Sequence, residues 1–128
     1  MKLVPCLSQN DVVSSIIERV QNKYPDPKGL CQFIARDLMD ELTSKGINSK
    51  HVVGYFHLDE PGVYEFIGLK TKVVDEYMVD HDWIELEGKI LDLSAIQFQK
   101  YVYEQIPKVV HIGYSHPLFV KYEPLKYV

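Results

Sequence analysis

The stretch Asp80–Ser94, DHDWIELEGKILDLS, predicts a β-hairpin around which the rest of the chain can be arranged. Two short runs rich in apolar residues flank Glu87-Gly88, which is the pattern of two strands joined by a tight turn. The sequence therefore predicts antiparallel strands at residues 80–86 and 89–93.

The register of this hairpin decides which side chains share a face. With a two-residue turn, Trp83 lies opposite Asp92, so His81 and Asp92 become diagonal neighbours within about 7–8 Å, which an imidazole and a carboxylate can span. A three-residue loop with Gly88 in a bulge would instead place His81 and Asp92 on opposite faces. We prefer the two-residue turn because it leaves the other face wholly apolar, with Ile84, Leu86, Leu91 and Leu93.

Two helices are predicted ahead of the strands. The second runs from about Cys31 to Ser44, follows a connector rich in turn residues, and has Gly46 as its C-terminal stop. The first begins at Ser8 and ends before Pro25, and its apolar residues recur every three or four positions, at Val12, Val13, Ile16, Ile17 and Val20.

Further strands are predicted at residues 51–58 and 63–71, which are rich in β-branched and aromatic residues and are separated by a turn at residues 59–62. The 128 residues suffice for one compact core and are too few for two ordinary domains. We therefore expect a single α+β domain over residues 1–128, with N-terminal helices packed on an antiparallel sheet.

Composition and charge narrow the classes of partner. The formal net charge is −4 and the 14 lysines and arginines are scattered, so nucleic acid is not an expected partner. No apolar run is long enough for a signal peptide or a membrane span, so we expect a soluble, cytoplasmic protein that does not bind membranes.

Four histidines outside the hairpin lack the spacing of metal ligands. His51 and His57 share one face of a predicted strand without further ligands, so solvent or packing roles are expected for them. His111 and His116 have no third group to orient them and are expected at the surface. No metal site is predicted.

Cys31 falls in the first turn of the second predicted helix, where unpaired backbone N–H groups and the helix dipole favour a thiolate. With His81 as acid–base and Asp92 as the group that orients the imidazole, it forms a candidate catalytic triad. A first-turn backbone N–H can bind the oxyanion, and Gln21 and Tyr24 are the candidates for a second donor. The competing interpretation makes Cys31 an inert core residue, because it shares a helix face with Ile34, Ala35 and Leu38.

Motifs spread over residues 29–98 resemble the transglutaminase-like branch of the papain-like cysteine enzymes. In chain order they are Gly-x-Cys-x-x-x-Ala-x-x-Leu at 29–38, Gly46-Ile47, Val52-Val53-Gly54, His81-Asp82-Trp83-Ile84-Glu85, and ILDLSAIQF at 90–98. The resemblance implies a papain-like, transglutaminase-like fold, a Cys-His-Asp triad and no cofactor.

The same resemblance implies acyl-transfer chemistry on an amide. We expect a thiol-dependent amide hydrolase, a peptidase or deamidase, that acts on a peptide or protein amide through a thioester acyl-enzyme. Hydrolysis is preferred over a crosslinking transglutaminase because so short a chain leaves little room for a second, acyl-accepting substrate. The alternatives of another class are a catalytically inactive transglutaminase-like binding module and an interaction protein that uses the tyrosines of its tail.

Overall fold

A computed structural model describes residues 9–61, 73–75 and 77–128. Within these residues the chain forms helices α1 (Gln9–Lys23) and α2 (Cys31–Ser44) and the 3-10 helices η1 (Ala95–Tyr101) and η2 (Pro117–Lys121). The strands are β1 (Lys50–His57), β2 (Val73–Asp75), β3 (Met78–Leu86), β4 (Lys89–Asp92), β5 (Val110–Ile112) and β6 (Tyr122–Tyr127). The expected α+β class is confirmed.

The described strands form one antiparallel sheet in the order β5-β4-β3-β1-β6, with β2 also paired to β3. On the edge of β3 that faces away from β1, β4 pairs with residues 84–86 and β2 pairs with residues 78–79. On this edge, between β2 and β4, residues 80–83 of β3 pair with no described strand, whereas β1 pairs with them on the other edge. His81 lies in this gap.

The hairpin of β3 and β4 has the predicted two-residue turn. Glu87 and Gly88 have φ values of 53° and 73°, both positive as a type I′ turn requires. Ile84 pairs with Leu91, and Leu86 pairs with Lys89 at the turn. The predicted register is therefore confirmed and the bulged alternative is wrong.

Helices α1 and α2 pack on the apolar face that this register creates. The sequence period of three and four places their buried residues on one side, and these residues join Ile84, Leu86, Leu91 and Leu93 in one hydrophobic cluster. Both predicted helices are confirmed, and Gly46 follows α2 with a φ of 73°. Ser8, the predicted first residue of α1, lies outside the described residues.

The other face of the sheet buries a second cluster, which includes Phe56, Trp83, Phe98, Val110 and Tyr122. Helix η1 and the C-terminal segment supply much of this cluster, so the sheet has apolar packing on both faces. In β4 the last three residues, Ile90, Leu91 and Asp92, are all buried, as packing on both faces of the sheet requires.

Strand β1 confirms the strand predicted at residues 51–58, but its observed neighbours are distant in sequence. It pairs with β3 on one side and with β6 on the other. The predicted partner strand at residues 63–71 lies outside the described residues. Neither described α-helix has the length and apolar character that crossing a bilayer needs.

Gly54 allows β1, β6 and the ring of Trp83 to approach closely. A Cβ at this position would lie 2.7 Å from the Trp83 ring and nearer still to the backbone carbonyl of Glu123. The pairing of β1 with β6 shifts register between Val53 and Gly54. Position 54 therefore requires glycine, because any larger side chain would collide with these neighbours.

Candidate active site

His81 and Asp92 form a buried hydrogen-bonded pair. His81 Nε2 donates to Asp92 Oδ2 at 2.6 Å, and the two side chains are 0% and 1% exposed. Strand β3 carries the histidine and the last residue of β4 is the aspartate, so the tight turn brings the two together. This diagonal contact is the one that the hairpin register predicts.

Asp92 accepts four hydrogen bonds, two on each carboxylate oxygen. Oδ1 accepts from the backbone N–H of Ser94 at 2.9 Å and from the Ser94 hydroxyl at 3.0 Å. Oδ2 accepts from His81 and from the hydroxyl of Tyr122 at 2.8 Å. Burial acts to raise the pKa of Asp92, but His81 and these donors hold that pKa below its usual value.

The environment of His81 keeps its imidazole protonated. Burial opposes the charge, but Asp92 and, to a smaller extent, Cys31 raise the pKa of His81 to about 10. Since Nε2 is bound to Asp92, Nδ1 is the nitrogen left for the thiol, and it has no hydrogen-bond partner among the described residues. Cys31 also acts to raise the pKa of His81, to a smaller extent than Asp92, so the thiol and the imidazole interact.

Aromatic rings enclose the imidazole. Phe98 and Phe56 meet it edge-on, with centroids 5.0 and 5.7 Å away, while Trp83 and Tyr122 lie tilted at 6.0 and 6.2 Å. Packing of this kind fixes the orientation of the ring and excludes water, which strengthens its interaction with Asp92.

Cys31 is the first residue of α2 and is 5% exposed. No side chain caps this helix, and its first backbone hydrogen bond runs from Ile34 N–H to Leu30 O, so the N–H groups before Ile34 lie ahead of the helical ladder. Cys31 lines a cleft of about 450 Å³ together with Gly29, Phe33, His51, Val53, Asp82 and Leu125, among others.

A second histidine–carboxylate pair lines the same cleft. His51 Nε2 is 2.6 Å from Asp82 Oδ2, and the side chains are 7% and 12% exposed. The prediction of a solvent or packing role for His51 did not include this carboxylate partner, which the pairing of β1 with β3 places beside it. Asp82 adjoins His81 in sequence, and because successive strand residues point to opposite faces of the sheet, its carboxylate lies beside His51 and away from His81.

Of the remaining histidines, two form specific contacts and one is exposed. His57 is 2.8 Å from Glu123 across the pairing of β1 with β6. His116 was expected to be an unoriented surface residue; instead its Nδ1 accepts a hydrogen bond from Leu118 N–H at 3.1 Å and caps η2. His111 is exposed, as predicted.

The two predicted oxyanion donors lie elsewhere. Gln21 and Tyr24 line a different cleft of about 510 Å³, formed with residues 25–28. The Tyr24 hydroxyl donates to Asp37 Oδ2 at 2.5 Å. Neither residue is among those that line the cleft at Cys31. Of the predicted donors, the first-turn backbone N–H groups are the ones positioned at the cysteine.

Two residues that complete the site had no role in the sequence analysis. Ser94 follows Asp92 by two residues, and its contacts with the Asp92 side chain are of the local kind that the Asp-x-Ser spacing can signal. Tyr122 lies thirty residues beyond Asp92, and only the pairing of β6 with β1 brings it close. No local pattern could have revealed it.

No group of three or more metal-binding side chains occurs among residues 9–61, 73–75 and 77–128. In comparisons with known proteins, the chain matches no family model, no curated sequence and no solved structure.

Proposed function

We propose that the protein is a thiol-dependent amide hydrolase, a peptidase or deamidase, of papain-like, transglutaminase-like architecture. The main support is the buried His81, which is hydrogen-bonded to Asp92 through Nε2 and whose pKa is raised by Asp92 and, to a smaller extent, by Cys31. An imidazolium beside a cysteine at the start of a helix is the arrangement that produces a nucleophilic thiolate.

The chemistry begins when the Cys31 thiolate attacks the carbonyl carbon of an amide. The carbonyl oxygen becomes an oxyanion, which a first-turn backbone N–H of α2 can bind. His81 then transfers its Nδ1 proton to the amide nitrogen, the C–N bond breaks, and an amine or ammonia leaves a thioester on Cys31. Asp92 keeps the Nε2 proton in place throughout.

Water completes the cycle. Its oxygen attacks the thioester carbonyl, its proton passes to Nδ1 of His81, and breakage of the C–S bond releases the acid and the Cys31 thiolate. A primary amine in place of water would give transamidation through the same thioester, so transglutaminase activity is the alternative within this chemistry.

A binding module that has lost turnover is the second candidate. The observation in its favour is the small exposure of Cys31, 5%, together with the apolar face that this residue shares with Ile34 and Leu38. Such a protein would keep the fold without needing a reactive thiol.

Thiol reactivity separates the two candidates. We expect an amide-mimicking electrophile at pH 7 to label Cys31 in the folded protein, as located by mass spectrometry, and His81→Ala to slow this labelling about tenfold or more. His57→Ala is the matched control, because it also removes a strand histidine with a carboxylate partner and should leave labelling unchanged. Equal labelling of the native protein and His81→Ala would contradict hydrolysis, and partner association that is lost in His81→Ala would then favour the binding module.

A further inference from the structure

The side chain of Gln97 connects the chain segment before Cys31 with the residue that holds Asp92. Its Oε1 accepts a hydrogen bond from Gly29 N–H at 2.9 Å, and its Nε2 donates to the carbonyl of Ser94 at 2.9 Å. Ser94 in turn donates twice to Asp92. One side-chain amide thus links Gly29, two residues before Cys31, to Ser94, two residues after Asp92.

The position of Gly29 matters because the segment that contains it leads directly into α2. Gly29 has a φ of 72°, stands two residues before Cys31 and is the third residue of a turn from Pro27 to Leu30, in which Leu30 N–H donates to Pro27 O. This segment determines where α2 begins, and therefore where the sulfur lies relative to His81. A displacement of about 1 Å between reacting groups is enough to cost roughly 10²-fold in rate.

We propose that Gln97 is a positioning residue that couples Cys31 to the His81–Asp92 pair. This inference rests on the proposed function, because it assumes that His81 activates the thiol. Gln97 contacts backbone atoms and touches neither Cys31 nor His81 in the hydrogen bonds described, so its effect on the thiol passes through the position of Gly29.

Gln99 provides a matched control in the same helix. Like Gln97 it is partly buried in η1 and bonds backbone groups with both ends of its amide: Nε2 donates to the carbonyls of Val102 and Glu104, and Oε1 accepts from Ile106 N–H at 2.6 Å. These bonds hold residues 102–106, which are not among those that line the Cys31 cleft.

The test compares Gln97→Met with Gln99→Met, which replace each amide with an apolar side chain of similar length. Thermal unfolding should show a loss of stability in both variants, because each loses hydrogen bonds to backbone groups. Only Gln97→Met should slow alkylation of Cys31 by iodoacetamide at pH 7, by about tenfold, and change its pH profile between pH 5 and 9 to that of His81→Ala. Adding His81→Ala to Gln97→Met should then cause little further loss.

Each other outcome overturns the inference in a recognisable way. Equal slowing of Cys31 alkylation by both methionine variants would show that Gln97 has only a structural role. A native pH profile of alkylation in Gln97→Met would show that Gln97 does not couple Cys31 to His81. If His81→Ala itself leaves alkylation unchanged, the proposed function and this inference fail together; if only Gln97→Met is without effect, the proposed function stands. Should Gln97→Met not fold, Gln97→Asn, whose shorter amide cannot span both partners, takes its place with the same expected profile.

Discussion

At the scale of single residues, the carboxylate of Asp92 has the strictest hydrogen-bonding requirements. All four of its partners donate to it: the backbone N–H and hydroxyl of Ser94, the hydroxyl of Tyr122, and Nε2 of His81. Burial and Asp92 itself raise the pKa of Tyr122 well above its usual value, so this phenol remains a donor. An asparagine cannot satisfy such a set, because its NH₂ group faces donors in either orientation.

Asp92→Asn is therefore expected to impair both folding stability and thiol activation. One orientation sets NH₂ against the backbone N–H of Ser94, and the other deprives His81 of its carboxylate and favours the wrong tautomer. We expect a loss of about 1–3 kcal/mol in the free energy of unfolding in urea and labelling of Cys31 at pH 7 slowed about tenfold or more.

Asp82→Asn is the control for this prediction, because Asp82 also pairs with a histidine, His51, in the cleft beside Cys31. It should leave labelling close to that of the native protein. If Asp82→Asn suppressed labelling and Asp92→Asn did not, the His51–Asp82 pair would be the one that acts on the thiol.

At the scale of secondary structure, the site depends on how β3 is flanked. Among the described residues, β4 pairs with the last three residues of β3 and ends at Asp92, and β2 pairs with the first two. On the other edge β1 pairs along most of β3, and Gly54 stands directly opposite His81. The close approach at Gly54 is therefore part of the scaffold behind the histidine.

Gly54→Ala should destabilise the protein. The added methyl group would collide with the Trp83 ring and the Glu123 carbonyl, and such overpacking typically costs about 1–3 kcal/mol. Gly113→Ala is the matched control, since a Cβ there has no neighbour within 4 Å and its effect should stay within about 1 kcal/mol. Chemical denaturation of both variants gives the comparison. Equal stability of the two would mean that β6 can move away from β1 without loss.

The elements that could be predicted from sequence are those with local causes. The bounds of α2 follow from its helical period and from Gly46, and the β3–β4 register follows from a two-residue turn with apolar residues on one face. The contact between His81 and Asp92 was predictable for the same reason. Tyr122 and the His51–Asp82 pair were not, because they depend on β1 lying between β3 and β6, a long-range arrangement that no local pattern specifies.

At the scale of the whole molecule, the sheet divides the interior into two apolar clusters. The helices cover one face, while η1 and the C-terminal segment cover the other. His81 and Asp92 are enclosed with the second cluster's Phe56, Phe98 and Tyr122, so their charges are removed from water when the chain folds. Protonation of this pair must therefore be linked to the stability of the fold.

The direction of this linkage follows from the two pKa shifts. His81 has a pKa of about 10 in the folded protein against an ordinary value of 6.5, so between these values the folded state retains a proton that the unfolded chain has released. The stabilisation is complete below pH 6.5 and is lost as the pH rises toward 10. The pKa of Asp92 is lowered from 3.8, so its stabilisation is present above that value and is lost as the pH falls through the lower, folded-state value.

We therefore expect the free energy of unfolding to be highest between about pH 4 and 6.5 and to decline on both sides. Urea denaturation from pH 3 to 10 measures it. His81→Ala removes the proton that the folded state retains, so its curve should be flatter than the native curve between pH 6.5 and 10, whatever other groups titrate there. Parallel curves for the two proteins across that range would show that His81 does not carry the charge which the proposed chemistry requires.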